Sequence, residues 1–196
     1  LRLNYRTTEE TRAYAMALLR GLSFDDLDGA ALADDASASL LHGARPHVQL
    51  FRAAQEEIAF LKTEIATLVQ NGVALPDICL IARSHVLLAS YLQALRGTFP
   101  CYELQRDTPE DRRQGGLRLA TMHRVKGLEF QYVFLCGVND GILPPHGIAS
   151  MADPVVRDEA LMSERCLLYV ALTRAQRKAY LSAFGAWSSL VKPFLP

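Results

Sequence analysis

The pattern of apolar and polar positions switches repeatedly between a period of two and a period near 3.6. Residues 1–5 alternate as a short strand does. Thr7-Thr8-Glu9-Glu10 then reads as a T-x-x-E capping box, followed by Tyr14, Ala17 and Leu18 at helical spacing and by Gly21 as a stop. Residues 22–46, rich in Asp, Ala, Ser and Gly, predict a loop with at most one weak helical turn. Residues 48–51 predict a strand, and Ile58, Leu61, Ile65 and Leu68 mark one face of a helix ending near Asn71-Gly72. The run 78–82 is continuously apolar, as a strand buried on both faces of a parallel sheet is. A helix over 85–95, closed by Gly97, comes next, and the polar residues 103–116 predict an exposed connection.

Residues 117–121 and 133–136 predict two more strands divided by a short turn. Residues 138–158 carry Gly141, Pro144, Pro145, Gly147 and Pro154 and predict a long ordered loop. A helix is predicted over 159–173, buried because it is apolar on nearly all sides from Cys166 to Leu172, and a last strand over 179–183. Strands alternating with helices indicate an α/β domain around a mostly parallel central sheet flanked by helices.

Length and composition refine this picture. The 196 residues suit one domain with a real core, and half of them are hydrophobic against a fifth charged, the balance of a globular protein. No apolar run approaches the roughly 20 residues a membrane helix needs, so no membrane partner is expected. The four cysteines, Cys79, Cys101, Cys136 and Cys166, form no C-x-x-C pair and read as reduced core thiols of a cytoplasmic protein. With 21 basic and 21 acidic residues the chain is formally neutral, which argues against a self-sufficient nucleic-acid module. It opens on Leu1 directly in a strand-like segment, which reads as a fragment whose N-terminal part is missing.

Three segments concentrate candidate chemistry. In the first, Leu3-Asn4-Tyr5-Arg6-Thr7, an aromatic and an arginine sit at a strand end, where open α/β sheets gather ligands; they suit base stacking and phosphate contact, or a purely structural role. In the second, 121–130, polar side chains crowd a turn between apolar strands. Gly127 permits close backbone approach, His123, Arg124 and Lys126 suit phosphates, and Glu129 suits a sugar hydroxyl; a solvated loop is the plain alternative. In the third, 164–175, Arg174 ends an apolar helix, either as an arginine finger or as a cation offsetting the helix dipole.

In this order the three segments resemble the fourth, fifth and sixth motifs of Rep/UvrD-type superfamily 1 DNA helicases. Asn4-Tyr5-Arg6-Thr7 is similar to N-Y-R-S, Thr121–Phe130 to T-x-H-x-x-K-G-L-E-F, and Tyr169–Ala175 reads Y-V-A-L-T-R-A. Residues 136–144 and 81–85 resemble the segments after the fifth and fourth motifs, with His85 where that family often has Asn. The resemblance spans nearly the whole chain and implies a RecA-like second motor domain, covering 1–196, of an ATP-dependent DNA helicase. Residues 97–116 form only a short connection where relatives insert an accessory subdomain.

The resemblance also implies roles. Tyr5 packs on adenine, Arg6 and Arg174 reach the γ-phosphate as catalytic residues, and Gly127 and Glu129 belong to the ATP site, Glu129 near the ribose. Arg83, His85, Thr121, His123 and Lys126 are the DNA candidates, with Lys126 between a phosphate contact and an interdomain role. No G-x-x-x-x-G-K-[ST] occurs, so the P-loop and the Mg²⁺ ligands are expected in a missing N-terminal RecA-like domain, and this fragment alone is expected to be inactive. Single-stranded and duplex DNA are the implied partners, translocation is 3′ to 5′, and the setting is the cytoplasm at a bacterial nucleoid. A RecD-like 5′-to-3′ helicase and a non-catalytic binding module remain the alternatives. Lys126-Gly127-Leu128-Glu129 favours the Rep/UvrD side over the first.

Overall fold

A computed structural model describes residues 7–20, 39–105 and 109–195. Six strands form one sheet: β1 (His47–Phe51), β2 (Ile78–Ala82), β3 (Cys101–Glu103), β4 (Leu117–Thr121), β5 (Phe130–Leu135) and β6 (Ala175–Phe184). They lie in the order β1-β6-β5-β2-β4-β3, and every neighbouring pair is parallel. The continuously apolar β2 takes the central place its composition calls for, between β4 and β5, with all five residues buried.

The side-chain period of two divides the core into two layers. Ile78, Leu80 and Ala82 of β2 face the layer built by Leu61 and Ile65 of α2 (Ala54–Gln70) and Leu88 and Tyr91 of α3 (His85–Leu95). Cys79 and Ile81 face the opposite layer, with Ala15 of α1 (Glu9–Ala17) and Leu168, Ala171 and Leu172 of α5 (Pro154–Leu172). A short α4 (His146–Ala149) lies in the segment before α5.

Several local expectations shift for identifiable reasons. The first helix is capped by Thr8, whose Oγ1 accepts from Thr11 N at 3.4 Å, while Thr7 turns away to donate to the Thr173 carbonyl at 2.8 Å. Glu10 accordingly does not complete a box but accepts from Gly43 N at 2.8 Å. α5 begins at Pro154 rather than near residue 159. Asp153 accepts from Val155 N at 2.8 Å and Pro154 fills the first helical position, a start that a loop reading of the proline hides. Only one stripe of α5 is buried, at Leu168, Ala171 and Leu172; Cys166, Leu167, Tyr169 and Val170 are half-covered, against the expectation of a fully buried helix.

Of the connection expected to be exposed over 103–116, Glu103 closes the edge strand β3 and Leu104 is buried, while residues 112–115 are exposed; Phe99, earlier in the short stretch 97–116, is buried as well. The expected strand at residues 1–5, the stop at Gly21 and most of the 22–46 loop lie outside the described residues. All four cysteines are free, and burial drives the thiols of Cys79 and Cys136 well above the usual range, which keeps them protonated and inert. No helix among the described residues is long and apolar enough to cross a membrane.

Candidate functional site

β5 and β6 enter the sheet side by side, Phe130 opposite Ala175, so the residues just before them, Glu129 and Arg174, are brought together. Phe130 N donates to the Arg174 carbonyl at 3.0 Å. The Arg174 guanidinium is aimed by oxygens on two segments: Nε donates to Val170 O at 2.9 Å, Nη1 to Leu128 O at 3.3 Å and Nη2 to Thr173 Oγ1 at 3.3 Å. The contact with Val170 is the helix-end cation expected of it, and the contact with Leu128 goes beyond that role. The Glu129 carboxylate accepts from Gln176 Nε2 at 3.1 Å, and its carbonyl accepts from Arg112 Nη2 at 2.8 Å. With Thr7 bonded to Thr173, residues 7, 128–130 and 173–174 are stitched into one knot. Tyr5 and Arg6, next to Thr7 in sequence, lie outside the described residues.

This knot sits at the amino ends of β5 and β6, not at the carboxyl ends where a ligand held by a sheet's own βα loops collects. The physical reason is that its members lie on segments entering the strands. Beside it opens a cleft of about 600 Å³ lined by Thr8, Gln131, Gln176, Arg177 and the segment Leu41, His42 and Gly43. A half-buried guanidinium, a carboxylate and a polar cleft suit a polyanionic nucleotide with sugar hydroxyls. Among the described residues no cluster of His, Cys, Asp or Glu could hold a metal ion.

A second group lies at the opposite, carboxyl edge, after β2 and β4. Thr121 ends β4 and is buried; its carbonyl accepts from Arg124 N at 2.9 Å, and the next amide, Met122 N, donates to Ala82 O at 3.0 Å. His123 is exposed on the turn that follows. His85 opens α3 with its side chain 80% exposed, 3.9 Å from Glu103. Arg83 is already engaged: Nε and Nη2 reach the two oxygens of Glu164 on α5 at 2.6 and 2.5 Å, with the glutamate side chain only 6% exposed.

The stretch 122–129 joins the two edges. Because β4 and β5 are parallel to β2, the chain must cross the whole sheet between Thr121 and Phe130. Met122 and Val125 anchor the crossing in the core, and Lys126 and Gly127 face solvent. Gly127 has φ +84°, and a Cβ there would meet nothing within 4 Å. Its glycine therefore serves a left-handed backbone conformation, and no protein atom crowds it.

Sequence reasoning missed Glu164, Gln176 and Arg112. Glu164 left a readable signal, an acid on the same helical stripe as Leu168, Ala171 and Leu172, but its partner lies 81 residues away. Arg83→Ala would strand a buried carboxylate and is expected to cost about 2 kcal/mol of stability. Urea unfolding of the full-length protein checks this. A loss under about 0.5 kcal/mol would rank the pair with surface ion pairs instead.

Residues 101–185 match the family described as the UvrD-like helicase C-terminal domain. The chain is 47% identical over 66 residues to the ATP-dependent DNA helicase Rep of Buchnera aphidicola subsp. Baizongia pistaciae, covering 34% of this chain and 9% of that protein. It is 39% identical over 94 residues to the ATP-dependent DNA helicase UvrD1 of Mycobacterium leprae, covering 47% of this chain and 11% of the relative. The chain thus spans about a tenth of the length of these relatives. Among solved structures, the C-terminal domain of a possible DNA helicase from Lactobacillus plantarum superimposes with TM-score 0.65 at 17% identity, over 96% of this chain and 92% of that one. That likeness establishes the RecA-like fold.

Proposed function

We propose that this chain, whose residues 101–185 belong to the UvrD-like helicase C-terminal family, is the second motor domain of an ATP-dependent DNA helicase or translocase. The observation that carries the reading is the knot at the amino ends of β5 and β6. There, parts of three segments far apart in sequence hold a guanidinium and a carboxylate side by side. In this reading Arg174, together with Arg6, closes on the γ-phosphate of ATP bound against a first RecA-like domain outside this chain. Positioned cations of this kind stabilise charge in the phosphoryl-transfer transition state. Glu129 and Gly127 line the nucleotide's sugar side, and Tyr5 packs on its base. Mg²⁺, held by carboxylates of that other domain, would neutralise the phosphate oxygens.

Arg83, His85, Thr121 and His123 form the DNA-facing edge, with Lys126 between the two sites. The crossing 122–129 ties that edge to the nucleotide group through eight residues of chain. A change at Glu129 thereby reaches His123, which is the mechanical link a translocase needs. Movement is 3′ to 5′ along single-stranded DNA, and duplex DNA is the unwinding substrate. The short residues 97–116 leave no room for a large accessory subdomain, which favours translocation over strong unwinding.

ATP hydrolysis by the full-length protein, with and without single-stranded DNA, is the direct test. DNA-stimulated turnover is expected. No turnover with any nucleic acid would remove the motor reading and leave a RecA-like binding module.

A further inference from the structure

The segment between β3 and β4 holds a buried charge network behind the Arg112 contact to Glu129. Arg118 of β4 is fully buried, which an arginine tolerates only when its charge is compensated. It donates to Gly116 O at 2.8 Å, to Asp111 O at 3.0 Å and to Glu110 Oε1 at 3.3 Å. Its guanidinium also lies 4.9 Å from the ring centroid of Tyr102, its register partner on β3. All three hydrogen bonds go to residues 110–116, so the buried charge clamps that stretch to the sheet. A side-chain turn sets its shape: Asp111 Oδ1 accepts from Arg113 N at 3.0 Å, and Gln114 N donates to Asp111 O at 3.1 Å.

Two residues of the segment between β3 and β4, Gln105 and the clamped Arg112, meet the crossing 122–129 at its two ends. Arg124 Nε donates to Gln105 O at 2.6 Å near the carboxyl edge, and Arg112 Nη2 donates to Glu129 O at 2.8 Å at the amino edge. Leu128 O is held by Arg174 from the other side. Adjacent carbonyls at the end of the crossing are therefore gripped by two arginines on separate supports, one between α5 and β6 and one on the clamped stretch.

We infer that Arg112 is a positioning residue for Glu129, and that Arg118 is the buried anchor that lets it act. On the crossing Arg112 touches only the Glu129 carbonyl, while its Nε lies 3.9 Å from Oε2 of Glu110, the same carboxylate that Arg118 holds, so its role is to fix where the Glu129 side chain leaves the chain. Its consequence for nucleotide binding rests on the motor reading above. A contact that orients a ground-state ligand group alters KM and leaves kcat nearly unchanged.

The experiment compares Arg112→Ala, Arg112→Lys and the neighbouring control Arg113→Ala in the full-length protein. Arg113 is 91% exposed and makes its contacts within its own turn. Two readouts are taken: amide hydrogen exchange across 124–130 without nucleotide, and KM and kcat for ATP. Arg112→Ala is expected to speed exchange in that stretch and to raise KM about fivefold, the size of one hydrogen bond's net contribution, with kcat within about twofold. Arg112→Lys should recover most of both effects, and Arg113→Ala should show neither. Unchanged exchange in Arg112→Ala, or equal effects in Arg113→Ala, would overturn the inference. Faster exchange in a protein whose wild type turns over no ATP would remove the motor reading and leave the positioning of Glu129 standing. Faster exchange with an unchanged KM in an active protein would overturn the link to nucleotide.

Discussion

Replacing Arg174 by alanine in the full-length protein is expected to lower ATP turnover by on the order of 10³-fold or more while single-stranded DNA binding largely survives. The size follows from the proposed role. A guanidinium that reaches the transferring phosphoryl group acts where charge develops, in a site closed to water, and cannot be replaced by solvent. Its structural contribution acts on stability and not on the reacting phosphate. The contacts to Val170 O, Leu128 O and Thr173 Oγ1 are hydrogen bonds of a half-buried side chain, worth about 1 kcal/mol each. Their loss lowers the melting temperature by on the order of 10 °C without unfolding the domain at ordinary temperature. Arg174→Lys separates the roles, because an ammonium keeps the charge and loses the planar fork that binds two oxygens at once. It should regain most of the stability and little of the turnover. Turnover within tenfold of wild type in a folded Arg174→Ala protein would confine Arg174 to the end of α5.

The parts of the fold readable in advance were those whose burial is written into composition. Ile78–Ala82 is a buried strand apolar enough to be read without a partner, and Leu117–Thr121 is read from Leu117, Leu119 and Ala120, although the burial of Arg118 between them is not. His85–Leu95 has its cap, Ser84, and its apolar face within the same dozen residues. β3 escaped because it is three residues long, lies at the sheet edge and ends in Glu103, so neither period is visible. Thr7 and Thr8 illustrate a second limit. Either can cap the helix, and the choice is made by a carbonyl at Thr173, 166 residues away. The candidate site divides in the same way. The residues themselves stand out because charge sits between apolar strands. Their division between two edges of the sheet depends on parallel pairing that no local pattern encodes. The Arg83–Glu164 pair and the grip of Arg112 on Glu129 were illegible for the same reason.

Glu57→Ala should be the most destabilising single substitution outside the hydrophobic layers, with an expected loss of about 3 to 5 kcal/mol. Glu57 sits on α2 with no exposed surface. One carboxyl oxygen accepts from Gly137 N at 3.0 Å and from Ser182 Oγ at 2.5 Å, and the other accepts from the Tyr91 hydroxyl. It thereby ties α2 to α3, to β6 and to the chain leaving β5. Gly137 has φ +64°, and an added Cβ there would lie 2.7 Å from Leu87 Cδ2 and 2.9 Å from Tyr91 Oη, so α3 packs directly on that backbone. Alanine would leave three donors without their carboxylate acceptor, and unsatisfied buried groups cost about 1–3 kcal/mol each. Glu57→Gln keeps one acceptor oxygen and should lose about half as much. Against a typical total of about 5–15 kcal/mol, the alanine variant approaches the threshold of folding. Denaturant midpoints for Glu57→Ala, Tyr91→Phe and the double variant decide the matter. If the carboxyl group organises the network, the double variant loses less than the sum of the two. Strict additivity, or a loss below about 1 kcal/mol for Glu57→Ala, would mean that the helices are held by their apolar faces alone.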